Sequence, residues 1–552
     1  MAEYSQMNKT YHHFLYPAPK MLTRMLDLPA EVIHRILGHL PLEYARIFLS
    51  HPVTNPIALY SIFKTIVIQT TQTTSGCKNC CPKVKSPPTL VMQDKVVMSQ
   101  QQFMEILVPL KELEKIPGNQ LGNETQMLLN KMFQTRMTNW DDLHISSVIM
   151  TLQAEDSAFI EYLTLNKTFL KVFNSKVSKL HLRINGLQDY PKLGFKNLRN
   201  LNSLLISHPS VETGTVIELP EEGLTDLDIV GSGFPEIIYQ KFPDCIKRLG
   251  LAQNQLDVFD QAKVGWPKEM EALGLEGNYI HDITCLSNLP PTLQDLTLSY
   301  NNISNIPKTF SFPRTLRSLN LSANQLTSFP NLEQSDQIEE LVLALNNLTS
   351  VGYLPLALKR MDLGDNQLTN IDSVKFPQGF EELLLAFNRI SDIGNVQFPK
   401  STTRISLCNN RLMNEFTGNA HASRSFEALH GLENLITLDL SHNNLSRVDF
   451  HNFAIPASVE GLLLDSCHLA HVHSIRLPQQ LQVLDLQRNH ITKISKIELP
   501  LRLRELYLNG NTIEDFDQIQ VPATMERIGT PNFRIMNPQK FRIPDHITSL
   551  FR

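Results

Sequence analysis

The hydrophobic residues of the chain follow a short pattern that repeats over most of its length. In the segment 289–303, leucines stand at Leu293, Leu296 and Leu298, and an asparagine follows at Asn301. The alternating leucines predict a short strand whose apolar side chains point to one side. The chain must turn sharply after such a strand, and an asparagine side chain can pair with the backbone groups left inside the turn. Because one unit cannot bury its apolar side alone, the pattern predicts a stack of similar coils.

The asparagine position holds its register over fifteen copies. Neighbouring copies are 22 to 24 residues apart, except for one interval of 20 and one of 33. The residues at this position are Asn185, Pro209, Ser232, Asn254, Asn278, Asn301, Asn324, Asn346, Asn366, Asn388, Asn410, Asn443, Cys467, Asn489 and Asn511. The pattern resembles the leucine-rich repeat. It implies an α/β solenoid, a curved leucine-rich-repeat array of about 15 repeats with a period of about 22 residues, preceded by a small helical domain.

A proline precedes most of the predicted strands. Proline fixes φ and cannot continue a helix or a strand ladder, so we expect extended or short helical segments on the convex side of the array. These prolines are Pro290 or Pro291, Pro313, Pro355, Pro377, Pro399, Pro456, Pro478, Pro500 and Pro522.

The segment 26–44 has a different, helical spacing of apolar residues. Pro29 suits the first turn of a helix and Pro41 ends it. The apolar face is formed by Val32, Ile33, Ile36, Leu37 and Leu40. Two further short helices are predicted at about 42–49 and 56–63. By periodicity alone, these helices are equally well explained as a small bundle that caps the solenoid.

The same segment resembles the F-box. The residues that match the motif are Leu28, Pro29, Glu31, Val32, Ile36, Leu37, Leu40, Pro41 and Leu42. The segment 50–56 departs from it, because the later tryptophan of the motif is missing. The resemblance, to F-box/leucine-rich-repeat proteins of fungal type, implies docking on a Skp-type adaptor and through it on a cullin. The implied adaptor-binding residues are Leu28, Pro29, Val32, Ile33, Ile36, Leu37, Leu40 and Pro41.

These patterns divide the chain into five parts. We predict an N-terminal tail at 1–24, the F-box-like helical domain at 25–65, a linker and N-terminal cap at 66–176, the solenoid at 177–535 and a C-terminal cap at 536–552. Within the linker, 64–70 is predicted to be a strand at the first edge of the solenoid.

Two segments interrupt the pattern. Cys77, Cys80 and Cys81 lie in a predicted loop; a zinc site would need a further ligand pair, so a free loop is favoured over a metal site. The interval of 33 residues holds an insertion at 413–430, which is either a tolerated surface loop or an element that contacts substrate or regulates the protein.

Composition narrows the class of protein. The chain has 552 residues, 42% hydrophobic residues and a net charge of −5, which fits a globular protein and gives no basic nucleic-acid surface. No apolar run is long enough to span a bilayer, and the N-terminus lacks a secretory signal. The seven cysteines are scattered, which favours a reducing compartment. We expect a cytoplasmic or nuclear protein with no cofactor, no metal, no nucleic acid and no membrane partner.

The strands of a curved solenoid line its concave face. Fifteen strands about 4.8 Å apart form a surface on the order of 65–70 Å long, which suits a protein partner. Apolar side chains rimmed by acids stand at outward positions in the middle of the array and predict a hot spot. The candidate partner-binding residues are Tyr300, Val342, Leu345, Asp362, Asp365, Leu384 and Phe387. A second, more charged stretch contains Asp439, His442, Leu463, Asp465, Asp485, Arg488 and Tyr507. The acid bias predicts a partner with basic residues.

The sequence gives little support for catalysis. It lacks a phosphate-binding glycine loop and the common hydrolase motifs, and His471 with His473 has no evident third metal ligand. Cys408 is the best exposed candidate for a ubiquitin-accepting nucleophile, but no base stands at a recognisable spacing. The F-box resemblance implies a non-catalytic substrate-recognition subunit of a cullin-based (SCF) ubiquitin ligase. The alternative is a leucine-rich scaffold or phosphatase-type regulator whose N-terminal helices only cap the array.

Overall fold

The structure is a computed structural model, and its described part consists of many short and long ranges. These are residues 65–69, 90–92, 95–99, 147–153, 178–185, 192–207, 216–231, 233, 235–412, 424–448, 450, 455–473, 475–495, 497–514, 519–529 and 548–550. They form two compact units. The first unit consists of residues 1–255 and 264–270, and the second consists of residues 256–263 and 271–552. The predicted adaptor-binding residues and Cys77, Cys80 and Cys81 lie outside the described residues.

The first unit is built on a mainly parallel sheet. Its strands are β1 (Thr65–Gln69), β2 (Leu90–Met92), β3 (Lys95–Ser99), β4 (Ser147–Gln153), β5 (Lys179–Asn185), β6 (Lys192–Gly194), β7 (Ser203–Ser207), β8 (Val216–Glu218), β9 (Asp226–Val230) and β10 (Arg248–Gly250). Strands β3, β1, β4, β5, β7, β9 and β10 pair in parallel in that spatial order, with β2 antiparallel to β3. Strands β6 and β8 form a separate parallel pair.

The start of the parallel ladder differs from the prediction. The predicted strand at 64–70 is present as β1, but it lies between β3 and β4 instead of at an edge, because both of its sides are paired. Neither β3 nor β4 was predicted. Both consist largely of β-branched and other apolar residues without the leucine–asparagine spacing of the later coils. Parallel pairing therefore begins well before residue 177.

The second unit is a regular stack of three-residue strands. They are β11 (Ala272–Gly274), β12 (Asp295–Thr297), β13 (Ser318–Asn320), β14 (Glu340–Val342), β15 (Arg360–Asp362), β16 (Glu382–Leu384), β17 (Arg404–Ser406), β18 (Thr437–Asp439), β19 (Gly461–Leu463), β20 (Val483–Asp485), β21 (Glu505–Tyr507), β22 (Arg527–Gly529) and β23 (Thr548–Leu550). Each strand pairs in parallel with the next one along the chain.

The architecture is a parallel β-solenoid of about 14 turns with a period near 22 residues. The described connections are extended or form short 3-10 turns, at Pro235–Tyr239, Gln261–Lys263, Ile283–Leu286 and Arg424–Leu429. The described part of the chain thus has the extended and short helical connections expected from the prolines, and it contains no helix that is long and apolar enough to cross a membrane. The curvature of the array stays a prediction.

Leucines from successive strands form the core of each coil. Leu296, Leu319 and Leu341 are the central residues of β12, β13 and β14, and each is at most 1% exposed. Each buried leucine contributes about 1.5–3 kcal/mol relative to an exposed one. The residues on either side of each central leucine stay partly exposed, so each of these three strands has one buried face and one open face.

Prolines start a tight turn before the strands. The carbonyl oxygen of Pro313 accepts a hydrogen bond from the N–H of Leu316 at 3.1 Å, and other coils repeat this turn. One residue before the buried leucine, the hydroxyl of Thr315 lies 2.7 Å from the carbonyl oxygens of both Pro291 and Leu293 in the preceding coil. We call these contacts the hydroxyl clamp. Its members are Thr315, Ser401, Ser458 and Thr524, and Cys245 makes the equivalent contacts through its thiol.

The last third of the predicted insertion contributes to the core. Residues 424–429 form a 3-10 turn in which Phe426 is 1% exposed and Leu429 is fully buried. Residues 413–423 lie outside the described residues. The prediction of a surface loop over 413–430 is therefore wrong for its last third, because the spacing of Phe426, Leu429 and Leu432 suits one apolar side of such a turn.

Candidate functional site

A ladder of buried asparagines fixes the turn that follows each strand. The Nδ2 group of Asn388 lies 2.9, 3.2 and 3.3 Å from the carbonyl oxygens of Leu363, Leu385 and Ala386, respectively. Its Oδ1 atom accepts a hydrogen bond from the N–H of Leu368 at 3.0 Å. The side chain thus joins two coils and pairs polar groups that would otherwise be buried without partners.

Cys467 takes the asparagine position in one coil and changes its hydrogen bonds. Its Sγ atom lies 3.2 Å from the carbonyl oxygen of Leu440, where other coils have an amide donor. A thiol offers no amide oxygen, so the N–H of Leu445 donates instead to the backbone carbonyl of Cys467 at 3.0 Å.

From Asn254 to Asn511, the residue just before each ladder position has a left-handed backbone. We call these residues the left-handed row: Gln253, Gly277, Tyr300, Ala323, Leu345, Asp365, Phe387, Asn409, His442, Ser466, Arg488 and Gly510. Within the second unit their N–H groups bond to the next coil, as at Leu345 to the carbonyl of Gly364 and at Phe387 to that of Cys408, both 2.8 Å. The solenoid therefore requires φ above zero at this position whatever the residue.

Three bulky side chains occupy the left-handed row and face solvent. Tyr300, Leu345 and Phe387 have φ of 54°, 57° and 57° and are 65%, 45% and 55% exposed. A left-handed conformation costs a residue other than glycine about 1–2 kcal/mol. Because these three side chains are exposed, they gain no free energy from burial that could offset this cost. Neither backbone propensity nor packing of the core therefore explains why large apolar residues stand at these positions.

The other outward candidates stand beside these residues. Val342, Asp362 and Leu384 are the third residues of β14, β15 and β16, and they lie directly opposite one another in the strand register. Asp362 accepts a hydrogen bond from the N–H of Gly364 at 2.9 Å. Burial between apolar neighbours raises the pKa of the Asp362 carboxyl.

The structure brings six of the seven predicted partner-binding residues onto three consecutive coils, and Tyr300 lies two coils earlier. We call these seven residues the apolar patch: Tyr300, Val342, Leu345, Asp362, Asp365, Leu384 and Phe387. Their contact with a partner stays a prediction.

Ion pairs run along the edge of the apolar patch. Arg360 lies 3.9 Å from Glu340, and Arg404 lies 3.1 Å from Glu382. Exposed pairs of this kind contribute little to stability, but they neutralise these four charges. Within the described residues, no basic group forms a salt bridge with Asp362 or Asp365. The apolar patch is therefore left with a net negative charge.

The second, more charged stretch is organised around Asp465. This carboxylate is buried; Arg488 donates to it through Nε at 2.9 Å and again through Nη2, and His442 Nε2 lies 3.3 Å away. The hydrogen bonds to Asp465 raise the pKa of Arg488. His442 and Arg488 both belong to the left-handed row, which holds them on either side of the carboxylate. The spacing of the repeat predicts that Asp465, His442 and Arg488 lie on one face of the solenoid. It does not predict that Arg488 and His442 both contact the Asp465 carboxylate.

Three of the described cysteines are poor nucleophiles. Burial raises the pKa of the Cys408 thiol to about 11, with Asp439 and Asp465 adding to the shift. Burial likewise raises the pKa of Cys285 and of Cys467 to about 12. At neutral pH these thiols stay protonated, so none of the three offers a thiolate for ubiquitin transfer.

Histidines gather near the end of the array without forming a multi-ligand metal site. The rings of His471 and His473 have centroids 5.8 Å apart, and Nδ1 of His468 lies 3.3 Å from Nε2 of His490. In the described ranges, no three histidine, cysteine, aspartate or glutamate side chains converge as metal ligands.

Family models match the repeats at three places. The model for a leucine-rich repeat covers residues 269–326, another covers 434–454, and a model for two copies covers 479–520. No F-box domain is detected. No curated protein matches the chain.

Solved structures of other solenoids resemble the fold. A leucine-rich-repeat protein of Leptospira interrogans is 24% identical, with 64% of this chain and 88% of that chain covered and a TM-score of 0.46. The leucine-rich effector YopM of Yersinia pestis is 20% identical, with 62% and 88% covered and a TM-score of 0.45. An internalin of Listeria monocytogenes is 18% identical, with 60% and 93% covered and a TM-score of 0.43.

The repeats define the class of the solenoid. Family models find leucine-rich repeats in it, and solenoids of this repeat are typically non-catalytic scaffolds that bind proteins. The open strand face and the left-handed row are the surfaces on which a partner-binding site would be built.

Proposed function

We propose that this chain is a non-catalytic protein-recognition subunit that binds a partner protein through the apolar patch. The observation that carries the proposal is the exposure of Leu345 and Phe387 in left-handed positions. The fold sets the backbone conformation at this position in every coil, but the exposed side chains of Leu345 and Phe387 add nothing to the core, and exposed apolar clusters are typical of binding sites. Burial of these side chains under a partner would supply the hydrophobic free energy that folding leaves unused.

The test replaces the two apolar side chains without disturbing the backbone. Asparagine tolerates a left-handed conformation, so Leu345→Asn with Phe387→Asn should preserve the fold. The matched control is Leu356→Asn with Leu501→Asn, since these leucines are 69% and 77% exposed but stand outside both the strand face and the left-handed row. We expect the first pair to release proteins that co-purify with the full chain, by tenfold or more in quantitative mass spectrometry, and the control to retain them. Equal retention by both variants would contradict the proposal.

We further propose that the recognition subunit belongs to a cullin-based (SCF) ubiquitin ligase. The F-box-like motif at residues 28–42 supports this, together with its place ahead of the repeats. In this role the N-terminal motif binds the Skp-type adaptor, and the solenoid holds the target near the ubiquitin-conjugating enzyme. The rate gain then comes from proximity and not from chemistry on this chain.

Adaptor binding decides between this role and a simple cap. Pro29→Ala with Ile36→Ala should abolish co-purification of the adaptor and the cullin, while circular dichroism of the solenoid stays unchanged. The control is His34→Ala with Arg35→Ala, which alters polar positions of the same predicted helix. If the adaptor still binds the first variant, or never binds the full chain, the F-box proposal is wrong. A leucine-rich scaffold or phosphatase-type regulator with capping helices then remains.

A further inference from the structure

Acidic and apolar residues alternate along the strand face in the last part of the solenoid. Asp439, Leu463, Asp485 and Tyr507 are the third residues of β18, β19, β20 and β21. They lie directly opposite one another in the parallel register, so their side chains stand in one line on the open face. We call these four residues the acid–apolar row.

The two carboxylates of the acid–apolar row accept hydrogen bonds, and neither is the partner in a described salt bridge, although the Arg488 charge lies near Asp485. Asp439 accepts from the Ser406 hydroxyl and from the N–H of Ser441, each at 3.0 Å. Asp485 accepts from the N–H and from the side-chain amide of Gln487, at 2.9 and 3.0 Å. In the described chain, no basic group forms a salt bridge with either carboxylate.

Nearby cations are already committed elsewhere. The Arg488 guanidinium is hydrogen-bonded to Asp465, and His442 faces the same carboxylate. Arg527 pairs with Glu505 at 3.1 Å. Burial raises the pKa of the Asp485 carboxyl, while the Gln487 hydrogen bonds and the nearby Arg488 charge lower it less. Carboxylates that form no salt bridge are stabilised by a cation that comes from outside the chain.

The spacing of the carboxylates restricts the ligand. Asp439 and Asp485 are two strands apart, or about 10 Å. In a polyproline II helix, residues three apart lie on the same side and are separated by about 9.3 Å. In a β-strand, residues three apart point to opposite sides. Of these two extended conformations, polyproline II is the one in which the side chains of residues three apart both point to the row. Leu463 between the acids, and Tyr507 beside Asp485, offer apolar surface to the aliphatic stems of lysine or arginine.

We propose that the acid–apolar row binds a basic segment of a partner protein, in polyproline II conformation, with two lysines or arginines three residues apart. The proposal rests on the proposed recognition function and specifies the chemistry of the bound segment. The apolar patch and the acid–apolar row then contact different parts of the same partner.

The experiment measures binding of labelled octapeptides to the full chain by fluorescence anisotropy at low ionic strength. One peptide has arginines at its third and sixth positions in a proline background. The comparison peptides have the arginines adjacent, or have glutamates in place of arginines. We expect the first peptide to bind at least fivefold more tightly than the adjacent form, and the glutamate peptide not to bind.

Variants of the row locate the binding site. Asp439→Asn with Asp485→Asn keeps one acceptor oxygen on each side chain, for the N–H of Ser441 and of Gln487, and removes both charges; we expect at least tenfold weaker binding of the first peptide. The control, Asp372→Asn with Glu433→Gln, changes the net charge equally at exposed residues outside the strands and should leave binding unchanged. Thermal melting of each variant verifies that it is folded.

The outcomes separate this inference from the proposed function. The absence of spaced-arginine binding, the absence of a spacing preference, or equal weakening by the control would each overturn the basic-segment proposal. If co-purifying proteins are nevertheless released by Leu345→Asn with Phe387→Asn, protein recognition by the apolar patch stands without it. If the peptide binds at the row but those substitutions release nothing, the inference holds and the apolar patch is the wrong site.

Discussion

At the scale of single residues, Thr402 shows how closely each coil position is defined. Equivalent positions in other coils hold Leu316, Leu358 or Phe380, which are fully buried. Thr402 is also fully buried, but its hydroxyl has no hydrogen-bond partner. A buried hydroxyl without a partner costs free energy that valine, with nearly the same shape, would not incur.

Thr402→Val should therefore stabilise the protein. We expect the free energy of unfolding to rise by about 1 kcal/mol, measured as a higher midpoint in urea denaturation followed by circular dichroism. The matched substitution Thr315→Val removes a hydroxyl of the clamp and should lower the midpoint by a similar amount. A loss of stability in both variants would show that the unpaired hydroxyl of Thr402 has no net cost.

The candidate site was predictable only in part at this scale. The period of the repeat placed Leu345 and Phe387 outward, because leucines at fixed spacing define which side of the strand is buried. It did not show their left-handed backbone, since neither residue favours it. The signal lay in the equivalent residues: Gly277, Asn409 and Gly510 are types that adopt positive φ readily. The charge environment of Asp485 could not be read from spacing, because it depends on which neighbours pair with each other.

At the scale of the coil, the asparagine ladder joins neighbouring turns. Asn388→Ala removes a donor shared by three carbonyls and an acceptor for one N–H group, and leaves them buried. We expect a loss of about 3 kcal/mol in unfolding free energy, measured by urea denaturation. Asn395→Ala, at an exposed position outside the ladder, should change it by less than about 0.5 kcal/mol. Similar losses from both substitutions would argue against the ladder as the main link.

The regular coils were predictable because the same residue types, leucine in the strand and asparagine in the turn, recur at the same spacing in most of these coils. The leucine and asparagine positions from Asn254 to Asn511 correspond to strands β10 to β21 and to the turns that follow them. The hydroxyl clamp was not predicted, because serine and threonine are common in loops. A proline two residues before Thr315 and Ser401 is the sequence signal that could have indicated it. Strands β3 and β4 were not predicted, because their sequences lack the leucine–asparagine spacing of the regular coils.

At the scale of the second unit, strand pairing and ladder hydrogen bonds join each coil to its nearest neighbours. Each strand pairs with the strand before it and the strand after it, and the ladder asparagines bond across the same junctions. The stability of such a stack is approximately the sum of local terms and nearest-neighbour terms. The apolar patch and the acid–apolar row lie on different groups of coils, so damage to one should leave the other ordered.

Leu383→Ala tests this locality. Leu383 is fully buried at the centre of β16, and its truncation should cost about 2–5 kcal/mol. In hydrogen–deuterium exchange, we expect faster exchange over residues 360–410, where coils touch β16 directly, and little change over 483–511. Leu506→Ala in β21 is the matched control and should give the reverse distribution, because Leu506 is equally buried. If either substitution accelerated exchange evenly through the whole unit, the coils would fold as one cooperative block. The two binding surfaces could then not be altered independently.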